Sequence, residues 1–157
     1  MQSNDAAAIT QRVDFDAFVR TAEPRLRRAL YAMRGSQAGE DAVAEALAYA
    51  WANWPMLQTM ENPVGYLYRV GQSRSRPLRR PRLPGVDDQR LPEVEPGLPR
   101  ALAALSARQR GAVWLVHGCG WTYRETAEAL GISVSTVGTH VQRALVRLRN
   151  VLEVRND

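Results

Sequence analysis

Apolar residues recur every three or four positions through most of the chain, the spacing of one helix face. Phe15, Phe18, Val19, Ala22, Leu26, Leu30 and Met33 form the first stripe. It predicts a helix, or a kinked pair broken near Pro24, ending about Arg34–Gly35. Val43, Ala46, Leu47, Ala50, Trp51 and Trp54 form the second stripe, with Pro55 as its stop. Glu40, Asp41 and Glu45 line the opposite face of that helix. A third helix opens at "ENPVGYLYRVGQSRSR", where Asn62 suits the N-cap and Pro63 the first turn. Pro77 should end or kink it. No two-residue alternation is long enough to support a sheet.

Six prolines, Pro77, Pro81, Pro84, Pro92, Pro96 and Pro99, then mark a linker. Helical spacing resumes with Leu98, Leu102 and Leu105. Ser106 with Gln109, and Thr122 with Glu125, have the three-residue offset of a capping box. "GCG" at 118–120 breaks the chain between them, Gly131 ends the second helix, and Ser133 caps the last. The expectation is an all-α protein of two small helical domains: residues 10–80, a Pro-rich linker at 81–97, and residues 98–157. Each domain has its own core, anchored by Trp51 and Trp54 in one and Trp114 and Trp121 in the other. Trp121 has an alternative place, packing the last two helices against the helix that carries Trp114. The opening "MQSNDAAAITQR" reads as a frayed leader.

Charge divides the chain in the same way. All 21 basic side chains are arginine, and the net charge is +5. Residues 62–86 hold six arginines and no acid; residues 87–96 hold one arginine and four acids. Residues 97–157 return to eight arginines against four acids. Two basic blocks around an acidic linker suggest two places where phosphate is met. A single cysteine, Cys119, allows no disulfide within the chain, as in a reducing cytosol. There is no apolar run of membrane-spanning length and no signal-peptide pattern, so a cytoplasmic protein without membrane insertion is expected. No nucleophile–base pair, phosphate-cradling loop or pair of catalytic carboxylates stands out, and His117 and Cys119 lack further metal ligands. The expectation is therefore no enzyme, no cofactor and no metal, with Cys119 as a small apolar filler beside a turn.

The stretch "TYRETAEALGISVSTVGTHVQRA" carries the mechanics of a helix-turn-helix. Ala127 is small where the helices cross, Gly131 can take the positive φ of the turn, and Val137 plugs the space between helices. A helical wheel places Val134, Val137, Val141, Leu145 and Leu148 inward. Ser135, Thr136, Thr139 and Arg143 point outward, with His140 and Arg147 on one flank and Gly138 on the other. The outward residues of the N-terminal half are candidates for base edges. Arg124, Arg147 and Arg149 are candidates for backbone phosphates.

The segment "LSARQRGAVWLVHGCGWTYRETAEALGISVSTVGTHVQRALVRLR" resembles region 4 of bacterial sigma-70-family factors of the extracytoplasmic-function (ECF) type. The front half resembles region 2 of the same family, through "FDAFVRTAEPRLRRAL", "AGEDAVAEALAYAWANW" and "NPVGYLYRVGQSRSR". The resemblance covers roughly residues 14–152. It implies a transcription initiation factor that binds core RNA polymerase, reads promoter DNA and promotes duplex opening. Region 4 would read the −35 element through Arg124, Ser135, Thr136, Thr139, His140, Arg143 and Arg147. Region 2 would meet the −10 element through Tyr66, Tyr68, Arg69, Arg74 and Arg76, where aromatic faces among arginines suit single-stranded DNA. Glu40, Asp41 and Glu45 would dock on the polymerase clamp, and an anti-sigma factor is an expected partner. The chain departs from the family pattern at Ala44, Ser73, Pro77, Gly138 and His140. Those departures keep open an alternative, a sigma-like helix-turn-helix regulator without initiation activity.

Overall fold

The computed structural model describes residues 2–74 and 97–153, with side chains from residue 7 onward. Every regular element among the described residues is helical. The first is α1, Gln2–Arg34, which runs unbroken through Pro24. A proline removes one hydrogen bond and crowds the preceding turn. Here the surrounding face, Ala22, Leu26, Ala29 and Leu30, is completely buried, and that packing keeps the helix whole. Residues 2–12 extend α1 instead of fraying from it.

Gly35, at φ 81°, is the one residue between α1 and α2, Ser36–Ala52. Pro55 does not stop α2, which ends before it. It instead sits in the first turn of α3, Trp54–Leu57. The next helix is α4, Pro63–Arg74. Its cap is the expected one: the Gly65 N–H donates to Asn62 Oδ1 at 3.0 Å. α4 lies close against α2, because a Cβ on Gly71 would come within 2.8 Å of the Ala42 carbonyl oxygen. Arg34, buried at the end of α1, donates to the side-chain oxygen of Gln72 at 2.8 Å. Gln72 in turn donates to the Tyr68 hydroxyl at 2.8 Å.

The second half comprises α5, Leu98–Ala103; α6, Ala107–Val113; α7, Tyr123–Leu130; and α8, Val134–Glu153. Both capping boxes form, at Ser106 with Gln109 and at Thr122 with Glu125. Arg110 reaches back from α6 to the carbonyls of Leu102 and Leu105, each at 3.0 Å, and so satisfies the open end of α5. α6 does not run to Gly118 as a plain α-helix. It widens into a π-helical turn over Trp114–Gly118.

The cores are not two separate ones. Phe15, Trp54, Leu57, Leu67 and Tyr68 of the first half share one cluster with Leu115, Trp121 and Ala129 of the second. Two smaller clusters lie wholly within the second half, around Leu105, Val113 and Leu148 and around Val137 and Val141. Trp54 is buried as expected, but Trp51 is 50% exposed, its ring edge-on to Phe15. Cys119 packs beside the first cluster as an apolar filler. Burial pushes its thiol up to about 11, so it stays protonated at neutral pH. No helix among the described residues is long and apolar enough to cross a membrane.

Candidate nucleic-acid interface

The helix-turn-helix forms on local chemistry. Thr122 accepts from the Glu125 N–H at 3.1 Å, while Glu125 Oε2 accepts from the Thr122 N–H at 2.9 Å. Gly131 ends α7 at φ 65°, a left-handed conformation that glycine adopts without steric cost. The Ile132 N–H closes the turn on the Ala127 carbonyl at 3.0 Å. Ser133 then caps α8, accepting from the Thr136 N–H at 3.1 Å. Val137, fully buried, plugs the angle between α7 and α8 with Ala127.

The buried face of α8 is narrower than the wheel predicts. Val137, Val141, Ala144 and Leu148 are buried, whereas Val134 is 48% and Leu145 42% exposed. The reason is phase. Ala144 packs beside Ala101, Leu105 and Val113 and so turns its own edge of the stripe inward, away from Val134 and Leu145. Leu145, one residue on, is rotated about 100° from it and points out.

The outward face of α8 carries the expected residues in differing states. Ser135, Thr139, Arg143 and Arg147 are exposed. Arg143 and Arg147 make no ion pair among the described residues and so present free guanidinium groups. The hydroxyls are engaged locally. Thr136 Oγ1 lies 2.7 Å from Ser133 Oγ, and Thr139 Oγ1 donates to the Ser135 carbonyl at 3.1 Å. His140 turns inward: both ring nitrogens are shielded and find no partner among the described residues. Arg124, at the start of α7, is exposed and pairs with Glu61 at 3.2 Å.

α4 divides the second candidate set. Tyr66 is half-buried and Arg69 and Arg74 are exposed. Tyr68 does not share that surface. It is 2% exposed, with its ring 5.7 Å from that of Trp121 and nearly perpendicular to it. Burial pushes its phenol up to about 12. Arg76 lies outside the described residues. The acidic set on α2, Glu40, Asp41 and Glu45, is exposed.

The joint between the halves could not be read in advance. Trp121, 2% exposed, sits between Tyr68 of α4 and the Arg25 guanidinium of α1, which lies 5.4 Å from its ring centroid. Arg25 also pairs with Glu125 at 2.7 Å. Trp121 thus packs the helix-turn-helix against the first half, in a cluster that also holds Leu115 of the segment carrying Trp114. A cleft of about 710 Å³ opens beside this joint. Tyr66 and Arg69 line one wall, and Arg124, Glu128 and the start of α8 line the other. Part of each candidate set, Tyr66 and Arg69 on one side and Arg124 on the other, therefore lines the cleft.

Residues 97–148 match the model of sigma-70 region 4. The chain is 31% identical to the RNA polymerase sigma-E factor of Streptomyces coelicolor, over 92% of this chain and 89% of that protein. It is also 31% identical to the sigma-E factor of Streptomyces antibioticus, over 92% of this chain and 87% of that one. The fold resembles the sigma factor RpoE crystallised with the anti-sigma factor NepR from Bartonella quintana. The TM-score is 0.67, with 23% identity, over 90% of this chain and 98% of that one. This chain belongs to the sigma-70 family of bacterial RNA polymerase sigma factors, in its ECF branch, whose members are DNA-binding factors of transcription initiation and not enzymes.

Proposed function

We propose that this protein directs core RNA polymerase, in the cytoplasm, to a promoter that it reads at two elements. The observation that carries this is the outward face of α8, where Arg143 and Arg147 stand free above a correctly capped helix-turn-helix. Arg143 forks onto a guanine in the −35 major groove, with Ser135 and Thr139 on the same outward face. Thr136 serves mainly as part of the cap, and His140 as a flank residue whose imidazole must turn out to reach DNA. Arg124 and Arg147 hold backbone phosphates. Tyr66, Arg69 and Arg74 meet the −10 strand once it is single, with Tyr68 beneath them as support and Arg76 beyond the described helix. Glu40, Asp41 and Glu45 dock on the clamp of the polymerase. An anti-sigma factor is a fitting regulator, as the RpoE–NepR pair shows for that protein.

A second reading follows from the burial of Tyr68 and from Ala44 and Ser73: a sigma-like DNA-binding regulator that does not open promoters. Run-off transcription with core polymerase separates the two. A promoter-dependent transcript supports initiation. Duplex binding without any transcript supports the regulator. Within the first reading, Arg143→Ala weakens −35 binding by about 1–3 kcal/mol and relaxes preference at one base pair. Equal loss on every sequence would reassign Arg143 to phosphate.

A further inference from the structure

Between α2 and α4 lies a cluster that the functional assignment above does not use. Tyr49, one turn before the end of α2, is half-buried, and its hydroxyl lies 3.0 Å from the Tyr66 hydroxyl. The two rings are 6.0 Å apart and tilted by 44°, a pair of adjacent aromatic faces. The exposed Arg74 guanidinium covers the Tyr49 ring at 4.7 Å. Arg74 makes no ion pair among the described residues, so its charge is free for an anion.

We propose that Tyr49 is a second aromatic contact for single-stranded −10 DNA, acting with Tyr66 on one unstacked base. The inference rests on the −10 assignment of α4. Three features carry it. Tyr49 is joined to Tyr66, so a base reaching one ring meets the other. Aromatic faces accept any base, because every base presents a π face. The cover over Tyr49 is also removable: a cation–π contact at an exposed site is weak, and a phosphate competes for the same guanidinium. Arg74 then moves from the ring to the backbone, uncovering the face on which the base stacks. The Tyr49 phenol is raised in pKa, chiefly by its hydrogen bond to Tyr66, so it meets the strand as a neutral group.

The test uses the full chain assembled with core RNA polymerase, with core polymerase alone as baseline. The probe is a fluorescein-labelled, mixed-sequence single-stranded 12-mer, followed by anisotropy across a salt series. Tyr49→Leu keeps an apolar filler but removes the π face, and should lower the chain-dependent affinity by about five- to a hundredfold. Tyr49→Phe keeps the ring and should stay near wild type. Arg74→Ala should weaken binding and flatten the salt dependence by about one unit of slope. A brace between α2 and α4 is the structural alternative. It predicts that Leu and Phe both lower the thermal midpoint while leaving strand affinity intact, and that result would overturn the proposal. Arg69→Ala separates the two levels. If it weakens binding while Tyr49→Leu does not, Tyr49 is not a contact but the −10 assignment survives. If neither matters, the −10 assignment of α4 fails, and Tyr49 with it.

Discussion

Arg25 is the most informative single position for the joint, because it lies on α1 and touches the second half through its side chain alone. Elements centred near −35 and −10 are about 25 base pairs apart, roughly 85 Å along B-form DNA. Tyr66 and Arg69 of one candidate set share a cleft with Arg124 of the other, so on the proposed reading the two halves must part before both elements are read. Arg25→Ala removes two contacts that hold them together. One is the pair with Glu125 at 2.7 Å, whose side chains are 38% and 25% exposed. Solvent screening limits such a pair to about 0.2–1 kcal/mol. The other is the guanidinium 5.4 Å from the Trp121 ring, worth about 0.5–1 kcal/mol at a solvated site. Together they come to about 1–2 kcal/mol, or roughly 5–30-fold in the closed-to-open ratio.

A partner that needs the open form binds with an apparent affinity reduced by the open fraction. While that fraction is small, Arg25→Ala should raise the affinity of the full chain for core polymerase by the same factor. Arg25→Met, which keeps the stem over Trp121 but no charge, should fall between. Titration of labelled chain into core polymerase measures it directly. An affinity unchanged within twofold would refute the argument, because Arg25 would then contribute nothing to closure. A fall in affinity would refute it differently, by making Arg25 a polymerase contact.

Further expectations follow from the same geometry. Reversing Asp41 and Glu45 to arginine should abolish co-purification with polymerase while duplex binding by the second half persists; unchanged co-purification refutes the docking face. Glu125 is pushed up by burial, but bonds from Arg25 and from Thr122 outweigh this and hold its carboxyl below the usual range. Its contribution should be complete above about pH 4.5 and be lost as pH falls through the depressed folded value, so acid unfolding should shift to higher pH in Arg25→Ala; superimposable acid transitions would refute the linkage. Gly138→Lys should tighten binding to matched and unmatched duplex alike, since that flank meets phosphate; sharper discrimination would reassign the reading face.

What was legible in the sequence is what short-range chemistry decides. The caps at Asn62, Ser106, Thr122 and Ser133 each need only a side chain and an N–H three residues away. Gly131 needs only its own φ. The helix-turn-helix and the exposed acids of α2 follow from such pieces plus helical period. The misses are of another kind. Leu145 and Val134 lie on the edge of an apolar stripe, and only the partner helices decide how far the burial extends. Tyr68 has the same spacing as a surface aromatic. Its burial depends on Trp121, fifty-three residues later in the chain. Tyr49 carries no pattern of its own, and only its approach to Tyr66 brings it into view.

Gly138 joins these two kinds of information. In isolation it is a weak point, because glycine within a helix costs about 1 kcal/mol relative to alanine. In the fold, a Cβ at Gly138 would lie 3.6 Å from Tyr123 Cε2, an ordinary contact. Space therefore does not require the glycine, and a longer side chain has a path out along the flank. Its cost is borne by a helix anchored elsewhere, by Val137, Val141, Ala144 and Leu148. The helix start also carries no charged side chain of its own before Arg143, so on the proposed reading long-range attraction to DNA falls to Arg143, Arg147, Arg149 and Arg124. Those four lie on two helices, with Arg124 tied to Glu61 across the cleft. On the proposed reading, parting the walls of the cleft would therefore also free Arg124 from Glu61 to join the phosphate-binding set, beside a recognition face that is already exposed.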